Sequence, residues 1–551
     1  MKNAFLQIHP KDNVFVALRD LPQGYQVNVQ DLSITLKQAV PAKHKFTIQD
    51  FEQDTEIYMY GVLVGKLNLP LASGSLIDVE NLRHAAESYQ LGLRKLNWTK
   101  PDVSAYKSRF FKGFHRSNGS VGTANYWLVI PLVFCENRNV LTLKSALEEK
   151  LGYSIQTKDY SQEVDRLIQS YQSGAPIHTL MDLDLNAAKE QKDSNRLFPN
   201  VDGVKFLNHE MGCGGTRMDS DALCGLLAGY ITHPNVAGAT VLSLGCQHAQ
   251  ASILKQEIAK RDPQFTKPLY IFEQQTEGTE QELMHKAIKS TFAGMAEANK
   301  QTRKPAGLDK LCIGLECGGS DGFSGISANP TLGYVSDIMV GLGGSVILSE
   351  FPELCGVEQE LSDRCIDEPT AERFMQLMNS YNAKAEADGS GFYMNPSPGN
   401  IRDGLITDAI KSAGAAKKGG TSPVQAVIDY PELANGSGLN LLCTPGNDVE
   451  STTAEVAAGA TVVLFTTGLG TPTGNPIVPV IKVSSNTKIF DKMADIIDIN
   501  CGTIIDGTES IEDAAHRLID YVIQVASGEI TAKATLLGQD DFIPWRRGVS
   551  L

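Results

Sequence analysis

The chain has 551 residues, 42% of them hydrophobic and 21% charged, a composition suited to a folded protein of several domains. Its net charge of −15 repels nucleic-acid phosphates and anionic membrane surfaces, and so argues against both as partners. No apolar run approaches the roughly 18 residues that cross a bilayer, the N-terminal MKNAFLQIHPKDN lacks a secretory pattern, and ten cysteines without a Cys-x-x-Cys pair predict free thiols or metal ligands in a reducing cytoplasm.

In chain order, residues 1–95 predict a small β domain. Strand-like runs such as Phe15-Val16-Ala17-Leu18 and Tyr58-Met59-Tyr60-Gly61-Val62-Leu63-Val64 are parted by the turn-formers Pro22-Gln23-Gly24 and Ala72-Ser73-Gly74. Residues 96–112 show no steady period and predict a linker. From 113 onward, strand-length apolar runs alternate with helical stretches. This predicts a central α/β domain over 113–300 and a C-terminal α/β domain over 301–551, with a mainly parallel sheet. Within the first, the polar stretch 151–200, which carries Lys189-Glu190-Gln191-Lys192-Asp193, predicts a solvated helical insertion. The run 239–244 ends at Gly245-Cys246, 311–315 at Glu316-Cys317-Gly318-Gly319, 345–348 at Ser349-Glu350 and 461–465 at Thr466-Thr467-Gly468. Polar turns at the carboxyl ends of buried strands are where a parallel sheet presents a site.

Five segments carry candidate chemistry. Asn208-His209-Glu210-Met211-Gly212-Cys213-Gly214-Gly215 places a His, a Glu and a Cys beside glycines, and reads as metal ligation or acid–base work, or as a satisfied half-buried histidine with an inert thiol. The turn from Glu316 to Gly325 offers backbone N–H groups, the hydroxyls of Ser320 and Ser324 and the carboxylate of Asp321, as a nest for a substrate anion or as an ordinary glycine-rich loop. Asn395-Pro396-Ser397-Pro398-Gly399-Asn400 is a rigid turn whose amides could orient polyol oxygens. Thr444-Pro445-Gly446-Asn447-Asp448 and Thr466-Thr467-Gly468-Leu469-Gly470-Thr471-Pro472 suit a sugar-like ligand in the same way. His9 and His44 stand alone in the β domain. Walker A, nucleophile-elbow, kinase and metalloprotease-helix motifs are absent.

These segments, with Ile8-His9, Asp12-Asn13-Val14, His44-Lys45, Arg116-Ser117-Asn118-Gly119-Ser120-Val121-Gly122-Thr123-Ala124-Asn125, Leu244-Gly245-Cys246 and Ala328-Asn329-Pro330, resemble the altronate and galactarate dehydratase family nearly end to end. The resemblance implies an N-terminal β-clip domain of the SAF type and a homo-oligomeric enzyme. It also implies dehydration of a sugar acid such as altronate to a 2-keto-3-deoxy acid with a divalent metal, Fe2+ or alternatively Mn2+. Galactarate dehydration, or non-catalytic binding of a sugar acid, are the alternatives. On that reading His209 and His44 are candidates for acid–base work. Ser320, Asp321, Asn329, Asn395, Asn400, Arg402 and Thr471 would hold the substrate. Cys213, Cys246, Cys317 and His209 would hold the metal, with an iron–sulfur cluster as the rival and inert buried thiols as the plain alternative; Cys135 also falls in a family-like string. Three departures bear on the substrate. Asp78-Val79-Glu80-Asn81 replaces the family's His-x-His-Asn and is closer to the galactarate type. Leu469 replaces the arginine of Gly-Arg-Gly-Thr. Ile401-Arg402-Asp403-Gly404 replaces Lys-x-Gly-Gly, so that Arg402 could restore the lost charge.

Overall fold

The computed structural model describes residues 4–29, 32–92, 96–154, 160–185 and 196–551. The N-terminal region is a module of short antiparallel strands, as its alternation and turn residues predict. Val14–Ala17 pairs with Phe5–Leu6 and Lys45–Thr47, while Val62–Leu67 pairs with Glu56–Met59 and Leu82–Arg83. Successive side chains of a strand point to opposite faces, and here both faces are buried. Phe15 and Ala17 join Phe46, Val27 and Ile34 in a core of the module's own. Val14 and Val16 face the other way, into a core continuous with Ile313, Leu315 and Phe351 of the C-terminal region.

The segment expected as a linker ends in structure. Phe110–His115 pairs antiparallel with Lys304–Gly307, fastening the entrance of the central region to its exit, and Phe111 is fully buried there. The central region holds a parallel sheet of β1 (Tyr126–Pro131), β2 (Gly203–Phe206), β3 (Val236–Ser243) and β4 (Leu269–Glu273), in spatial order β2-β1-β3-β4. Part of the polar insertion forms the helix Ser161–Gln172, none of whose residues is buried; the charged run 189–193 lies outside the described residues.

The C-terminal region is built on seven parallel strands, β5 (Cys312–Cys317), β6 (Ser345–Leu348), β7 (Val424–Asp429), β8 (Gly438–Cys443), β9 (Val462–Thr467), β10 (Val480–Ser484) and β11 (Ile499–Asn500), in the order β7-β8-β6-β5-β9-β10-β11. Their near-continuous apolar sequences suit strands covered on both faces. From β5 the chain turns first to one side, through β6, and later to the other, through β9. The crevice beyond the carboxyl ends of β5 and β9 is therefore a topological switch point, the usual ligand site of such sheets. Among the described residues no helix is long and apolar enough to cross a membrane.

Candidate active site

The switch point is built from two glycine-rich turns laced together. Gly318 N–H donates to Thr466 O, and the N–H groups of Gly468 and Leu469 both donate to Gly319 O. Gly314 and Gly318 have a packing reason. A side chain at either would collide with a carboxylate of the helix Asp448–Ala457, Glu455 at the first and Asp448 at the second.

Beneath the turn lies a buried charge cluster. The Cys317 thiol donates to Glu353 Oε2 (2.9 Å) and Glu350 Oε2 (3.3 Å), and accepts from Lys418 Nζ (2.9 Å). Lys418 also pairs with Glu350 (2.7 Å), and Lys411 with Glu353 (2.7 Å). Glu316 and Glu455 reach the same place through the Ser349 hydroxyl. Four buried carboxyl groups thus face two ammonium groups. Burial and the neighbouring carboxylates raise the pKa of Glu316 well above its ordinary value, and that of Glu455 to about 8. Burial opposes ionisation of Glu353 too, but Lys411 and Lys418 hold its pKa below the usual value. Glu350 sits at φ +63°, a conformation that costs a non-glycine residue about 1–3 kcal/mol and gathers at functional sites.

This cluster fits a cation. Ligand atoms of Cys317, Glu350 and Glu353 lie within 4.8 Å of one another. Glu350 Oε1 and Glu316 Oε1 are buried and receive no hydrogen bond from an N–H or hydroxyl donor, and four carboxyl groups stand against two ammonium groups, so an ion could enter as the raised acids release their protons. One sulfur with carboxylate oxygens suits a borderline divalent metal.

The β module closes over the crevice. Lys43, itself at φ +75°, pairs with the fully buried Asp321 (3.0 Å) and with Asp403 (2.6 Å), and Lys45 donates to Gly404 O. His44 stands between them. Burial lowers its pKa, its Nδ1 lies 3.2 Å from Ala42 O, and Lys43, not His44, touches Asp321.

The predicted substrate-binding residues converge here, several with structural duties. Asp321 also accepts from Ser324, Ser485 and Asn486. Asn400 caps its short helix with Ser397 and donates to Ser320 O (2.8 Å). Asn329 bridges Gly414 O and Thr466 Oγ1. Asn395 accepts from Lys411 (2.9 Å), leaving its buried Nδ2 without a partner. A Cβ on Gly319 would lie 3.2 Å from Thr471 Oγ1, and one on Gly399 3.8 Å from Leu469 Cδ1 and 3.9 Å from Arg402 Nη2. Arg402 and Leu469 therefore border the same spot.

The four residues grouped as metal ligands do not share one donor set. Cys317 belongs to the cluster above, whereas Cys213 and Cys246 are exposed on the central sheet. His209 has both ring nitrogens engaged. Met211 N–H donates to Nδ1 (3.1 Å), so Nε2 carries the proton and donates to Pro131 O (2.7 Å). His233 repeats the arrangement with Asn235 N–H and Ala460 O. Burial pushes these histidines down to about 4 and about 3. Their unfolded value is near 6.5, so their contribution to stability is complete above that pH. It is lost as pH falls toward the folded values, at no more than roughly 1.4 kcal/mol per unit for each. Urea midpoints between pH 7 and 5 should flatten in His209→Gln relative to the parent; an unchanged slope would remove the buried-neutral assignment.

The sequence reading passed over Glu353, Lys411 and Lys418. The available signal was the seven-residue spacing of the two lysines within the Ala- and Gly-rich stretch Ala409 to Gly420, two helical turns on one face.

A polar crevice at a sheet switch point, floored by buried acids and lysines, defines an enzyme site for a small polar ligand. Comparison with known proteins narrows the class. Residues 3–85 match the altronate/galactarate dehydratase SAF domain, 113–299 the D-galactarate dehydratase/altronate hydrolase second domain and 308–550 the D-galactarate/altronate dehydratase C-terminal domain. The chain is 32% identical to the altronate dehydratases of Bacillus subtilis (strain 168) and Escherichia coli (strain K12), over 96% of both chains in each case. It is 28% identical to the Escherichia coli galactarate dehydratase (L-threo-forming), over 95% of this chain and 93% of that one. The chain belongs to the altronate/galactarate dehydratase family and is a hydro-lyase.

Proposed function

We propose that this enzyme dehydrates altronate to 2-keto-3-deoxygluconate, with Fe2+ or Mn2+ held by Cys317, Glu350 and Glu353. The observation that carries the reading is that donor set, with buried carboxyl oxygens that receive no hydrogen bond from an N–H or hydroxyl donor, at the switch point. The 32% identity to two altronate dehydratases supports the substrate.

The reaction takes the proton from C2, beside a carboxylate, and expels the C3 hydroxyl. A divalent ion held by Cys317, Glu350 and Glu353 would supply Lewis acidity toward the substrate. Arg402 meets the carboxylate, and the free Nδ2 of Asn395 meets a hydroxyl. Asp448, raised to about 7 by burial and by Glu350 and Glu353, takes the C2 proton as a carboxylate and returns it to the departing C3 hydroxyl, which leaves as water, a role typically contributing about 10²–10⁴-fold; the enol left behind tautomerises to the keto acid. Lys43 keeps the β module closed on Asp321 and excludes water.

The test is anaerobic turnover of altronate, galactarate and gluconate after loading with Fe2+ or Mn2+, following the keto-deoxy acid. Product from altronate, abolished by chelator and by Glu353→Gln, is expected. Preference for galactarate would favour the second reading, for which Asp78-Val79-Glu80-Asn81 speaks. There Asp78 Oδ1 accepts from the N–H groups of Glu80 and Asn81, a local turn in place of two histidines. Binding by folded, metal-loaded protein without turnover would replace both readings with a sugar-acid-binding protein.

A further inference from the structure

The central region carries a second set of soft ligands that the dehydration site does not use. Cys135 follows β1, Cys213 follows β2 and Cys246 follows β3, three strands adjacent in one parallel sheet, so all three thiols leave the same carboxyl edge. Backbone hydrogen bonds hold the three loops side by side. Leu132 N–H donates to Leu242 O (2.7 Å), Phe134 N–H to Met211 O (3.0 Å) and Ala249 N–H to Gly212 O (3.2 Å). Gly212 and Gly245, at φ +101° and +124°, turn the chain immediately before Cys213 and Cys246.

The thiols are neighbours and they are accessible. Burial raises the Cys135 pKa, and the charges of Cys213 and Cys246 raise it further. All three are exposed, whereas Cys224, Cys317, Cys365, Cys443 and Cys501 are buried, the common condition of a free cysteine. A single ion bound at about 2.3 Å to each sulfur would need the sulfurs about 4 Å apart. Among the described residues, only Cys317, Glu350 and Glu353 bring three such ligand atoms within 4.8 Å. Three thiols on loops laced side by side, yet not within that distance of one another, suit a ligand larger than one ion. Beside Cys213 the wall of a recess includes Ser220 and Arg546, a cation suited to offset thiolate charge.

We propose that Cys135, Cys213 and Cys246 bind an iron–sulfur cluster of the four-iron type through three thiolates, so that one iron has no cysteine. The thiols lose their protons on ligation, and cysteine thiolates are the ordinary ligands of such clusters. The site is separate from the C-terminal pocket and stands or falls independently of the dehydration reading.

The full chain is reconstituted anaerobically with equal ferrous and ferric iron and sulfide, then desalted. The expected result is broad visible absorption with about four iron and four sulfide per chain, and protection of these three cysteines from alkylation by iodoacetamide. Mild oxidation should release the iron that lacks a thiolate and leave a three-iron electron paramagnetic signal. Cys135→Ser, Cys213→Ser and Cys246→Ser should each lose the absorption while keeping the parent's thermal transition, and Cys317→Ser should keep it. About one metal per chain without sulfide would overturn the proposal, as would colour surviving all three single variants or colour lost in Cys317→Ser. A cluster in protein that dehydrates no sugar acid would leave it standing and sink only the proposed function.

Discussion

Lys418→Met is expected to abolish turnover and to destabilise the fold by about 3–5 kcal/mol, the usual cost of stripping one partner from a buried ion pair. The ammonium is about 1% exposed and contacts Glu350 Oε2 and Cys317 Sγ at 2.7 and 2.9 Å. Burial alone would strip its proton, but Cys317, Glu350, Glu353 and Glu316 together raise its pKa well above the ordinary lysine value. Methionine fills much of the volume and leaves the carboxylates facing one another with Lys411 alone to balance them. If charge is the cause, Glu350→Gln in the same chain should recover most of the stability, since it removes the unpaired partner, while leaving turnover lost. Denaturant titration and steady-state kinetics on both variants decide it. A single variant as stable as the parent, or a double variant no better than the single, would remove the electrostatic account of the cluster.

That lysine shows where sequence reading stopped. The ends of β5 and β9 were legible because strands covered on both faces read as unbroken apolar runs, and the polar turns after them stand out. Ser320, Asp321 and Thr471 stood out in this way as residues of the crevice, and Asn395 and Asn400 through the rigid proline turn that carries them. A lysine in a chain reads as a solvated surface group, and only the fold shows Lys411 and Lys418 turned inward onto Glu353 and Glu350. That Cys213, Cys246, Cys317 and His209 do not form one donor set was hidden for a related reason. Cys213 and Cys246 follow strands and Cys317 ends one, but a sequence does not say which sheet a strand joins, and Cys317 belongs to a different sheet from the strands before the other two. The β module was legible from its alternation. That Val14 and Val16 share a core with Leu315 was not, because alternation gives two faces and not what covers the second. Phe110–His115 was missed because its partner, Lys304–Gly307, lies far along the chain, beyond any local period.

Arg402→Ala is expected to lower kcat/KM for the sugar acid roughly 10- to 150-fold, the about 1.5–3 kcal/mol that a hydrogen bond to a charged group contributes. The family's arginine is leucine at 469, and nothing else in that turn supplies positive charge. Leu469 Cδ1 and Arg402 Nη2 lie 3.8 and 3.9 Å from one point above Gly399, so a guanidinium can reach that spot from either chain position. Leu469→Arg added to Arg402→Ala should therefore restore much of the lost rate, a result no general loosening of the loop would give. Arg402→Lys should recover less, because an ammonium does not offer the two parallel donors that match a carboxylate. A ligand pair separates recognition from structure. Inhibition by a non-reacting sugar acid should weaken in Arg402→Ala, while inhibition by the corresponding alditol, which has no carboxylate, should not change. Equal weakening of both would make Arg402 a prop for the Pro398–Arg402 helix, and failure of Leu469→Arg to rescue would place the carboxylate elsewhere in the crevice.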